Sequence, residues 1–163
     1  MGYCQVHLAD IFSPDVLDSF TIAHYELLAF IIAFLLALFL NSDCRTAIHI
    51  FVDNQNALAW SQGRIKTSDN LANILTMSNC FLQVGYNICQ TRSYIRSQDN
   101  VQADQISRQQ FANSDNLTQF SPSPRLIQFF RELVSQRGPD VSRILQLSHI
   151  LRDTTDSSLF VSC

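Results

Sequence analysis

Three acids spread along this chain could hold a hard divalent cation if folding brought them together. They are Glu26 in Tyr25-Glu26-Leu27-Leu28-Ala29, Asp53 at the end of the apolar run Ile48-His49-Ile50-Phe51-Val52, and Asp104 in Asn100-Val101-Gln102-Ala103-Asp104. Carboxylate oxygens suit Mg2+, and two-ion hydrolysis of a phosphodiester needs several of them converging on ions about 3.5–4 Å apart. Each acid also has a plainer reading. Asp53 is placed to cap the helix-prone segment after it, Glu26 to sit where a helix dipole favours an acid, and Asp104 to be a solvated helix residue. The case for chemistry therefore rests on the three together.

Their order demands a particular set of elements. Residues 24–40 are rich in Leu, Ala and Phe without Gly or Pro, which predicts a helix apolar all round and hence covered on most sides. Residues 46–52 form a continuous β-branched and apolar run, which predicts a central strand covered on both faces of a mixed sheet, with Asp53 at its mouth. A short helix over 54–62, a helix over 71–82 opened by Ser68-Asp69-Asn70, and a second strand over 88–95 after Gly85-Tyr86-Asn87 follow. Asp104 falls on the next helix. A short strand around 3–8 and a turn or cap at Ser13-Pro14-Asp15 precede all of these. The alternation of helix and strand predicts an α/β fold.

Beyond Arg108 the character changes. Residues 113–124 are Ser-, Asn- and Pro-rich and read as a linker; 125–152 read as an extension of two amphipathic helices separated by Arg137-Gly138-Pro139-Asp140; 153–163 read as a loosely held tail.

At 163 residues with 47% apolar content, the chain is sized for one core. Net charge is −3, and every Lys and Arg lies at or beyond Arg45, so a nucleic-acid surface would lie in that part. Cys4, Cys44, Cys80, Cys89 and Cys163 include no Cys-x-x-Cys pair, which favours reduced thiols over a disulfide framework or a zinc site. The apolar run 27–40 spans about 21 Å as a helix, short of a hydrocarbon core near 30 Å, and is preceded by Glu26 and followed by Asp43 rather than by basic residues. No membrane is favoured, and an intracellular setting, cytoplasmic or nuclear, is expected.

The segment 94–108, with Asn100, two residues, Ala103-Asp104, one residue, then Ile106-Ser107-Arg108, resembles the last strand, loop and helix start of the RNase H domains of retroelement reverse transcriptases. Tyr25-Glu26-Leu27-Leu28-Ala29 resembles that family's Glu-Leu-Leu-Ala helix start, and Phe51-Val52-Asp53-Asn54-Gln55-Asn56-Ala57 its strand-to-helix acid. The likeness covers residues 2–108, is closest to DIRS-like elements, and makes 1–112 a partial RNase H-like domain. It implies an RNase H-like mixed sheet flanked by helices and two Mg2+ ions held by Glu26, Asp53 and Asp104. One ion would activate water and the other would stabilise the leaving oxygen, in cleavage of an RNA–DNA hybrid. Asn54, Asn56, Arg96, Asn100 and Arg108 would then contact the hybrid.

The family carries a fourth carboxylate, an Asp on its opening strand. Gly2-Tyr3 resembles the start of the second strand, so the first strand and its Asp would lie upstream of Met1; Asp10 is too close to Glu26 to replace it. Impaired cleavage is the expectation. Two other readings stay open: a non-catalytic module binding nucleic acid or a protein partner, and a small protein anchored in a membrane by residues 27–40.

Overall fold

The computed structural model describes residues 2–40, 47–65, 68–107, 118–152 and 159–162. Among them the chain is mixed α/β, with eight helices and five short strands arranged around one long apolar helix. In chain order these are β1 (Gly2–Cys4), α1 (Leu8–Ile11), α2 (Pro14–Leu17), α3 (Ile22–Leu40), β2 (Ile48–Val52), α4 (Gln55–Ser61) and α5 (Asn70–Tyr86). There follow β3 (Gln90–Tyr94), α6 (Val101–Ser107), β4 (Thr118–Pro122), α7 (Pro124–Val134), α8 (Val141–Arg152) and β5 (Phe160–Ser162).

Helix α3 is the spine. With no helix breaker and Glu26 as its only charged side chain at neutral His, it buries Leu27, Leu28, Ile31, Phe34 and Leu35 almost completely, on more than one side. Its start is fixed by an exchange of bonds with Thr21: the Tyr25 N–H donates to the Thr21 carbonyl, and the Thr21 N–H donates to His24 Nδ1 at 2.9 Å. A side chain three residues into the turn that reaches back to the entering N–H is the reciprocal half of a capping box, here with His in the place of Glu. By length and composition α3 could also cross a membrane, but ten of its residues are buried within this fold.

Local signals bound α4, α5 and α7. Asp69 caps α5 by accepting from the Ala72 N–H at 3.0 Å, and Asn87 closes it in the left-handed conformation at φ 53°. The helix therefore runs through Gly85, where a turn was expected. Gly63, at φ 81°, terminates the chain's exit from α4. Ser123 caps α7, whose Leu126, Phe129, Phe130 and Leu133 form an i, i+3, i+4, i+7 stripe buried in the core. With α8, which lies along α5, α7 completes that core; the two-helix extension packs into the fold.

The strands depart from expectation. They form two sheets rather than one: β1 pairs with β4 in parallel and β4 with β5 antiparallel, while β2 and β3 make a separate parallel pair. Strand β4 lies within the stretch read as a bare linker, and β5 within the stretch read as a loose tail. Each is anchored by one buried aromatic residue, Phe120 and Phe160, whose rings lie 5.8 and 5.7 Å from that of Phe39 on α3. Strand β2 is not covered on both faces either. Val52 is buried, but Phe51 is 61% exposed and His49 is exposed, because only one face of this small sheet lies on α3.

Candidate functional site

A cleft of about 800 Å3 lies between the two sheets, with α3 as its floor. One wall is the segment 3–7, the other the end of β2 through Asp53, and Ala29, Phe30 and Ala33 line the floor. Glu26, Asp53 and Asp104 all line it, delivered respectively by the first turns of α3, the residue after β2 and the middle of α6. Three acids far apart in sequence therefore reach one space.

Their environments differ. Glu26 is half-buried; burial first, and the neighbouring Asp53 carboxylate second, hold its carboxyl above the ordinary Glu range. Asp53 accepts a hydrogen bond from Asn100 Nδ2 at 3.1 Å, so the loop before α6 is tied to the end of β2. Asp104 lies on the exposed side of α6. Among the described residues no three His, Cys, Asp or Glu side chains gather closely enough to hold a metal ion. The donor chemistry thus suits Mg2+, and the repulsion between Glu26 and Asp53 would be relieved by a cation, but the three carboxylates do not form a ready three-ligand set.

The expected substrate contacts sort differently. Asn54 spends its side-chain oxygen on capping α4, accepting from Asn56 N and Ala57 N at 2.9 and 3.0 Å. Capping therefore falls to Asn54 rather than to Asp53, leaving the Asp53 carboxylate turned to the cleft. Asn100 positions Asp53, whereas Asn56 and Arg96 are exposed and open to solvent. Arg108 lies outside the described residues. Arg92 is turned inward: its Nη1 donates to the Ser61 carbonyl, its guanidinium sits 5.8 Å from the centre of the Phe30 ring, and burial lowers its pKa.

A second polar cluster escaped the sequence reading. His24, 4% exposed, joins the start of α3 to the start of α5 through a 3.0 Å bond between Nε2 and Asp69 Oδ1. Since Nδ1 accepts from the Thr21 N–H, the ring carries its proton on Nε2 and donates it to Asp69. Burial alone pushes the Asp69 carboxyl upward; the Ala72 N–H, the His24 hydrogen bond and the attraction of His24 together outweigh it and hold the carboxyl below the ordinary Asp range. The Thr21-x-x-His24 spacing is the signal that marks it in the sequence. With both histidine nitrogens committed and the Trp60 ring 5.0 Å away, the cluster is a clasp between helices.

Comparison with known proteins returned no matching family model, no matching curated protein and no matching solved structure.

Proposed function

We propose that the chain is an RNase H-like domain of retroelement origin whose cleft engages a nucleic acid, an RNA–DNA hybrid by resemblance, through a divalent cation, with little or no cleavage of its own. The observation that carries this reading is the arrival of Glu26, Asp53 and Asp104 in one cleft from three separate elements, in the order that the resemblance implies. One further point supports it. Among the described residues the cleft lining holds three carboxylates and neither Lys nor Arg, so a cation between them and a phosphodiester would relieve the repulsion of like charges. If bound, Mg2+ would be held by Glu26 and Asp53, with Asn100 orienting Asp53 and Asp104 facing the same space, and would supply Lewis-acid stabilisation of a phosphoryl oxygen.

The test is fluorescence anisotropy of a short labelled RNA–DNA hybrid with Mg2+ or with EDTA, alongside gel analysis of the same mixtures. The expected result is binding that Mg2+ tightens, that weakens with salt and that Asp53→Asn reduces at least tenfold, without product. Binding indifferent to Mg2+, or none, overturns the reading. Mg2+-dependent product that disappears in Asp53→Asn overturns the low-activity part of it.

A further inference from the structure

The open edge of β2 faces the same cleft, and its backbone shows which groups are available. The Ile48 N–H donates to the Cys89 carbonyl and the Val52 carbonyl accepts from the Ile95 N–H, each bond near 3 Å. In a parallel ladder the bonding to one neighbour alternates along the strand, so Ile48, Ile50 and Val52 serve β3 while the N–H and C=O of His49 and Phe51 point to the opposite side. Among the described residues no strand pairs there. Residues 50–53 form a wall of the cleft, so Phe51 offers its backbone groups within it.

The remainder of the space fits one kind of occupant. Ala29 and Ala33, one turn apart on α3, give a low apolar floor, and a contiguous apolar pocket of about 350 Å3 shares them and extends along α3 to Leu36. The slot is bounded on its far side by residues 3–7. At one end stand Glu26 and Asp53, mutually repelling, and among the described residues no Lys or Arg lines the cleft.

We propose that β2 takes up an extended peptide strand from a protein partner, apolar at the alternate positions that face Ala29 and Ala33 and cationic at the end beside Glu26 and Asp53. Main-chain bonds to His49 and Phe51 supply the pairing, as in other cases of strand addition to an exposed edge. The positive end removes the repulsion between the two acids. This goes beyond the nucleic-acid reading, because its contacts are backbone groups and it requires no metal.

The experiment uses the full chain in EDTA and two labelled hexapeptides of alternating Val and Thr, one with Lys at its N-terminal end and one at its C-terminal end, so that either strand direction is represented. Saturable binding of one of them is expected, with slowed amide exchange at His49 and Phe51 and unchanged exchange at Ile48, Ile50 and Val52. Replacing Lys by Glu should weaken binding at least fivefold, and N-methylation of the peptide amides at alternate positions should weaken it at least tenfold in one phase of alternation only. Phe51→Pro should abolish it while leaving the β2–β3 ladder intact, since the Phe51 N–H takes no part in that ladder. The N-methyl series carries the test if Phe51→Pro fails to fold. Absence of saturable binding by both peptides, or binding that leaves His49 and Phe51 exchange untouched, overturns the proposal. So does protection of those two amides that appears with protein concentration alone, which would assign the edge to a second copy. Failure of hybrid binding leaves these readouts unaffected.

Discussion

Replacing Asp69 by Ala should be among the most damaging single changes outside the apolar core. The substitution removes two things at once: the cap on the Ala72 N–H at 3.0 Å, and the acceptor of the buried His24 Nε2 proton, also at 3.0 Å. Loss of a helix cap costs about 0.5–2 kcal/mol. A buried donor left without a partner costs about 1–3 kcal/mol more. Since Asp69 is about a quarter exposed, water reaches part of the space and the lower half of that second range applies, giving a total of about 1.5–4 kcal/mol. For 163 residues, at about 2.1 cal/mol/K of unfolding entropy each, this lowers Tm by roughly 4–12 °C. The assay is thermal unfolding followed by circular dichroism, paired with urea titration. Asp69→Asn is the informative control, because an amide oxygen can still cap α5 and accept from His24. It should lose less than half as much. A loss below about 0.5 kcal/mol in Asp69→Ala, the ordinary range of surface substitutions, refutes the clasp, as does an Asn variant no better than Ala. The pH sign is fixed too: with the Asp69 carboxyl held below its ordinary value, its contribution is present above the ordinary Asp range and is lost as pH falls through its folded value.

Two further outcomes follow from burial and charge. Glu26, held above its ordinary range by burial and by Asp53, makes the native state bind more protons than the unfolded chain, so its contribution is full in acid and falls as pH rises through its folded value. Glu26→Gln should therefore raise the urea midpoint at neutral pH and flatten that fall; a variant curve parallel to the parent's would contradict the assignment. Phe130, fully buried on α7, should cost about 3–5 kcal/mol as Ala, whereas Leu145, 39% exposed on α8, should cost far less. Equal losses in the two urea titrations would mean that α7 does not belong to the common core.

Much of this was legible along the chain, and the failures are instructive. The long helix, the strand before Asp53, the cap at Asp69 and the amphipathic stripe of α7 are local signals of composition and period. The meeting of Glu26, Asp53 and Asp104 in one cleft follows the order of elements that carry them. Phe51 is apolar yet faces solvent, so the composition of β2 overstates its burial; an apolar run shows what could be covered, not what covers it. Strand β4 escaped because Thr118-Gln119-Phe120-Ser121-Pro122 buries one side chain well, too little for a period to show. Asn54 and Asn100, expected as contacts to a hybrid, cap α4 and hold Asp53; an amide does not declare from sequence whether it will cap a helix, steady a carboxylate or meet a ligand.

The pairing of β1 with β4 joins residues more than a hundred positions apart, with Tyr3 Oη donating to Gln119 Oε1 across a separation of 116. Such a contact must close a loop that contains most of the chain, and it returns only a three-residue ladder for doing so. The wall of the cleft formed by residues 3–7 is therefore tied to the later part of the chain by the pairing of largest sequence separation among the described strands, so a change in β4 reaches the cleft through β1.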